Sequence, residues 1–374
     1  VPFYPYSVLL SKSRLLTLLG RLDEAESIYR RSLAAVEPAG DRARTAETLA
    51  QTARLSWRRG DYDKAEELLG RAMVLYQDAG DAEGANDVRN YLGGICYERG
   101  DYARALEHFG SRLEFFEARG DRQGTADALN NIGLVRWGQG RLEEALGLFE
   151  RQIALCRELG DNVLLMSGLS NLGCVCDVMG RPDLALESYA SALDMARRMG
   201  NAEQSAIVVG NMAIVFLKQG MADKAGEYYR RQMEMAGRSG SRLLVARARC
   251  GLGDVAAHRG DDPAAIGFYR EYLSLAGALG LRLDMAVGRD GIARALGRLG
   301  RHEEGLAEAS LAVEGARELG IDFYLCEYLL HKAELLLALG RTEEAVRAAA
   351  EAGALAVKCG RGEVAERCRE LVKA

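Results

Sequence analysis

Residues 100–140 read GDYARALEHFGSRLEFFEARGDRQGTADALNNIGLVRWGQG, and this stretch decides the fold. It reads as a helix, a glycine turn, a second helix and another glycine turn. The turn glycine then recurs at every twentieth position from Gly20 to Gly360, eighteen times without a gap. A strict period marks a repeat array, in which each unit buries its apolar face against its neighbours and needs no single large core.

Working outward, first helices end at Gly20, Gly60, Gly100 and onward to Gly340, and second helices end at Gly40, Gly80, Gly120 and onward to Gly360. This predicts an all-α, right-handed α-solenoid of nine helix hairpins forming one domain over 1–374. The hairpins are 1–40, 41–80, 81–120, 121–160, 161–200, 201–240, 241–280, 281–320 and 321–360, with a capping helix in 361–374. The first residues are expected to be irregular around Pro2 and Pro5. Glycine suits each stop because it adopts positive φ without a clashing Cβ. Asp41, Asp61, Asp81, Asp101, Asp121, Asp161 and Asp261 follow their glycines, where a carboxylate can cap the next helix.

Packing residues repeat as well. Small residues stand five positions after the first glycine of a hairpin (Ala105, Ala145, Ala185), with an aromatic four further on (Phe109, Phe149, Tyr189). Another small residue precedes the glycine by seven (Gly93, Gly133, Gly173, Gly253). Small residues let two helices approach, and the ring fills the space beside them.

This pattern resembles the tetratricopeptide repeat family. The residues that carry the likeness are Leu92-Gly93, Ile132-Gly133, Leu172-Gly173 and Leu252-Gly253, with Ala105/Phe109 and Ala145/Phe149. The family's usual unit is about 34 residues. The longer unit here is similar to those of kinesin light chain, GoLoco-containing spindle-orientation adaptors and the sensor arrays of bacterial regulators. The resemblance implies a curved stack with the first helices on its concave side, and a non-enzymatic role in binding proteins or peptides.

Composition narrows the function class. The net charge of −5 argues against a general nucleic-acid surface, which needs a basic stripe. No apolar run approaches a membrane span. The eight cysteines lie within helical runs and are expected to be buried free thiols of a cytoplasmic protein. Cys174 and Cys176 point to different faces of one helix and make a poor metal pair. Gly251-Leu-Gly253 imitates a dinucleotide fingerprint but lies inside a helix with no strand before it. The four histidines show no ligand spacing, and no residues combine as nucleophile, base and electrophile. Neither a catalytic site nor a metal or cofactor is therefore expected.

Polar residues on the first helices are the candidate site. Asn131, Asn171 and Asn211 occupy one repeat position, and Asn90 and Asn130 stand one residue earlier. An amide offers a donor and an acceptor, so such a column can pair with an extended peptide backbone. It can equally bond to neighbouring helices and orient the stack. The resemblance carries the peptide-holding role to Asn131, Asn171 and Asn211. Arg54 and Arg58 offer forks for carboxylate or phosphate, against a plain reading as solvated charge. Trp57, Tyr97 and Trp137 form an aromatic column, readable as inter-repeat packing or as ligand anchors. The expected partner is a protein or peptide segment held in the concave groove, with no nucleic acid and no membrane. Two alternatives remain. The chain starts at Val1 rather than methionine, which points to a sensor tail of a larger signalling protein, its groove taking an effector or a domain of the same polypeptide. A self-associating scaffold is the other.

Overall fold

A computed structural model describes residues 6–18 and 21–373 of the chain. The irregular start at residues 1–5 and the turn at Gly20 lie outside the described residues. By density of contacts the chain divides into two compact units, 1–115 and 116–374.

The first unit holds α1 (Tyr6–Leu18), α2 (Leu22–Val36), α3 (Arg42–Arg58), α4 (Tyr62–Asp78), α5 (Ala82–Glu98) and most of α6 (Tyr102–Arg119). The second begins with α7 (Arg122–Gly138), α8 (Leu142–Leu159), α9 (Asn162–Val178), α10 (Pro182–Arg198), α11 (Ala202–Lys218) and α12 (Ala222–Ser239). It continues through α13 (Arg242–His258), α14 (Asp262–Leu279), α15 (Arg282–Arg298), α16 (His302–Leu319), α17 (Asp322–Ala338), α18 (Thr342–Lys358) and α19 (Gly362–Lys373). Among the described residues there is no strand.

Each turn is built the same way. At Gly60, φ is 75°, its N–H reaches the Trp57 carbonyl at 2.8 Å, and the Asp61 N–H reaches the Ser56 carbonyl at 2.9 Å. Those bonds take up carbonyls that a helix end otherwise leaves unpaired. Every positive-φ residue described is one of the period glycines from Gly40 to Gly360. Asp41, Asp81, Asp121, Asp161 and Asp261 cap their helices by accepting a backbone N–H. Asp101 does so more loosely at 3.3 Å, and Asn201 adds a cap that the aspartate pattern missed. Asp61 departs from the expectation and accepts no such bond.

The small–aromatic pattern is the packing key. Phe109, Phe149, Tyr189 and Tyr269 lie flat against Gly93, Gly133, Gly173 and Gly253, where an added Cβ would meet each ring at 2.6–2.7 Å. All four rings are buried, so each of these four hairpins is locked by one aromatic that only a glycine leaves room for.

Within each unit the helices form two layers. A first helix packs on its own second helix and also touches the first helix of the next hairpin, as in α3 with α5 and in α7, α9, α11, α13, α15, α17 and α19 in turn. Successive second helices make at most marginal contact. A stack joined along one layer and splayed along the other is curved, with the first helices inside. In the second unit the curl brings the turn after α7 against the turn after α18: a Cβ on Gly360 would stand 3.0 Å from the Gln139 carbonyl oxygen.

Candidate functional site

The inner face is read most clearly from one offset. Five bonds across adjacent hairpins of this face join residues 41 apart, one more than the repeat. Trp57 with Glu98, Arg58 with the Thr17 carbonyl, Asn171 with Asn130, Lys218 with Asp177 and His331 with Asp290 all obey it. The rows seen in sequence at a spacing of forty are therefore sheared by one residue when the hairpins stack.

In the first unit this shear commits most of the expected site residues to the protein itself. The Trp57 indole donates to Glu98 at 2.9 Å, stands edge-on to Tyr91 and lies over Gly94. The same Glu98 oxygen accepts the Tyr62 hydroxyl at 2.8 Å. Arg58 donates to the Thr17 carbonyl at 2.9 Å, fastening α3 to α1. The Tyr97 ring tilts against Tyr102, 6.0 Å away. Asn90 accepts from the buried Arg112 at 2.6 Å, a partner on α6 that the repeat columns did not reveal. Arg54 is the exception: it is half-buried and makes no ion pair among the described residues.

In the second unit the amides form a chain. Asn171 donates to the Asn130 carbonyl oxygen at 2.7 Å, and Asn130 donates onward to Asn131 at 3.4 Å. Asn211 directs its amide nitrogen at the Cys174 sulfur, 3.9 Å away. The Tyr189 hydroxyl donates to that sulfur at 3.1 Å. Column spacing does not single out Cys174 or Tyr189, because nothing local places a thiol beside an amide one hairpin away. Asn130, Asn131, Asn171 and Asn211 are all half-buried on first helices. Asn171 and Asn211 each spend one amide N–H and keep the carbonyl oxygen unpaired among the described residues. Trp137 packs beside Ala145, Phe149 and Val175.

Past Asn211 the row changes character. Gly251 and Gly291 hold the amide's position, and the rings of Tyr229 and Tyr269 lie against them. The Tyr269 hydroxyl donates to Asp254 at 2.6 Å. Gly251 and Gly253 are thus sockets for aromatic rings inside α13.

Burial governs the titration of this face. Burial pushes the Cys174 thiol up, against the Tyr189 hydrogen bond that lowers it, and raises Cys250 further. Burial also raises the Asp254 carboxyl above the usual range. Protonated thiols are poor nucleophiles. Six cysteines are buried as expected, while Cys174 and Cys250 are only half-buried. No group of three or more His, Cys, Asp or Glu suited to a metal occurs among the described residues. No described helix is long and apolar enough to cross a membrane.

Curved stacks of helix hairpins with a polar inner face define the class of helical-repeat recognition proteins. Within it, the tetratricopeptide repeat profile matches residues 7–78, 57–118, 84–151, 124–198 and 204–278, and a second profile of the same description matches 327–351. The chain belongs to the tetratricopeptide repeat family. No curated protein matches it in sequence. Among solved structures, a Rap protein complexed with Competence and Sporulation Factor superposes with a TM-score of 0.66 at 13% identity, covering 97% of this chain and 99% of that one. The apo form of RapI gives 0.57 at 16%, covering 73% and 97%. A signal transduction ATPase with a tetratricopeptide repeat sensor from Pyrococcus horikoshii gives 0.54 at 13%, covering 93% of this chain and 54% of that one. At these identities the likeness is one of fold.

Proposed function

We propose that this chain is a non-enzymatic recognition array whose second unit holds an extended peptide or protein segment along its inner face. The observation that carries the reading is the amide chain from Asn131 through Asn130 to Asn171, with Asn211 beyond it. Each link fixes an amide plane, and Asn171 and Asn211 keep an acceptor and a second N–H for the groove. A peptide unit needs one acceptor and one donor, so a fixed amide matches it whatever the ligand's side chains are. Preorganisation by the neighbouring amide lowers the entropy cost of that pairing. The Rap protein named above is complexed with Competence and Sporulation Factor, which supports reading a scaffold of this shape as a ligand receptor.

Side-chain selectivity is assigned to the residues flanking the amides: Ile214, which is exposed, and Lys218 one turn further along α11. In the first unit Trp57 and Arg58 tie adjacent hairpins together, Asn90 is held by Arg112 and Tyr97 packs on Tyr102, while Arg54 makes no ion pair among the described residues; in the second unit Trp137 packs beside Phe149.

Peptide display tests the proposal. Sequences enriched on the wild type should bind N171A/N211A about tenfold or more weakly, since two neutral hydrogen bonds contribute roughly 1 kcal/mol each, with the helical circular dichroism unchanged. Equal affinity would remove the amides from recognition. A sensor tail of a larger protein would use the same face, and the match to part of the Pyrococcus ATPase favours keeping that second reading.

A further inference from the structure

A second cluster on the inner face of the second unit lies past the amide row. A cavity of about 400 Å³ opens between α15, α17, α19 and the first residue of α16, lined by Arg294, Arg298, His302, His331, Glu334 and Arg367. Three guanidinium groups and two imidazoles face one carboxylate across it. The counter-charges stand behind the wall: Asp290 and Asp262 are only 4% and 6% exposed.

The bonds to those carboxylates fix the basic groups and leave much of their donor capacity unspent. Arg294 gives Nε to Asp290 at 3.0 Å, so its two terminal nitrogens have no acceptor among the described residues. Arg298 grips Asp262 through Nε at 2.8 Å and one terminal nitrogen at 2.7 Å. Arg367 bonds Glu334 through a single terminal nitrogen. The His331 Nδ1 meets Asp290 at 2.7 Å, which leaves its Nε2 for the cavity. The His302 Nδ1 is buried with no hydrogen-bond partner among the described residues. Donors outnumber acceptors on every side, and buried donors are costly to leave unmade. The missing component is a compact, acceptor-rich group.

We propose that this cavity is an oxyanion site that takes a carboxylate or phosphate group between Arg294, Arg367 and the two histidines. Planar guanidinium forks suit either oxyanion, and the fixed counter-ions behind them hold the forks without filling the cavity. The site does not depend on the amide row and would stand if peptide recognition there failed.

Calorimetric titration of the full chain at constant ionic strength tests it, with inorganic phosphate and acetate as separate probes. Saturable binding of phosphate, of acetate or of both, up to about 10 mM, supports the site and names the oxyanion. Arg367→Gln removes a half-exposed side chain and leaves folding intact; it should weaken that binding about tenfold. Arg294→Lys, which keeps the charge but loses the fork, should weaken it too. Absence of saturable binding for both probes overturns the proposal, as does unchanged affinity in both variants.

Discussion

Replacing Gly253 with alanine sets two known effects against each other. An alanine in a helix interior is favoured over glycine by roughly 0.5–1 kcal/mol. At Gly253 the new Cβ would stand 2.6 Å from the Tyr269 ring, well inside contact distance. The ring is 2% exposed, is also close-packed against Gly291, and is pinned by its hydroxyl to Asp254. It cannot swing away without losing a charge-assisted hydrogen bond, worth about 1.5–3 kcal/mol. Overpacking of this kind costs about 1–3 kcal/mol. Gly253→Ala should therefore destabilise by about 0.5–2 kcal/mol after the helix gain is subtracted. Gly267 is the internal control. It lies inside α14 of the same hairpin, and nothing comes within 4 Å of a Cβ built there. Gly267→Ala should stabilise by about 0.5–1 kcal/mol. Urea melts of the two variants beside the wild type, followed by circular dichroism, give the comparison. Shifts of the same sign would refute the claim that the Tyr269 ring depends on its glycine socket.

Two further outcomes follow from the titration of buried groups. Because burial raises the folded-state Asp254 carboxyl, the native chain binds this proton more readily than the unfolded one, and stability from this site is lost as pH rises above the ordinary carboxylate range. Asp254→Asn removes that loss, so its urea midpoint minus that of the wild type should rise from about pH 4, near the unfolded carboxyl, to about pH 7; a difference that falls over that range contradicts the assignment. Burial pushes the thiols of Cys96 and Cys156 up to about 11 and that of Cys326 to about 12. Disulfide-exchange reagents at mildly alkaline pH should leave the eight cysteines largely unreacted in the native chain and titrate all of them in urea. A fast native phase would locate a reactive thiol, with Cys174 and Cys250 the ones to mutate first.

Fold and site differed in how much the sequence disclosed. The hairpins were legible because their determinants are local: a glycine at positive φ, an aspartate three residues before the N–H it caps, an aromatic facing a small residue within one hairpin. Asp61 shows the margin of that logic, since the right residue at the right place makes no cap bond. The amides were legible as residues but not as a network. Their partners are set by the one-residue shear between hairpins, so Asn171 meets Asn130 and not Asn131. The same shear turned Trp57 towards Glu98 and Arg58 towards the Thr17 carbonyl. The Arg112–Asn90 bond and the cluster around Asp290 depend on the packing of neighbouring helices, to which column spacing is blind.

The most direct test of the central claim is a double-mutant cycle on one display-selected peptide, measured by fluorescence anisotropy. One side of the cycle replaces Asn171 with alanine, and the other methylates single backbone nitrogens along the peptide. If the amide row grips the ligand's backbone, one methylated position should lose affinity in the wild type and lose little more in N171A, a coupling of about 0.5–1.5 kcal/mol. Additive losses at every position would mean that Asn171 holds the hairpins together and does not touch the ligand.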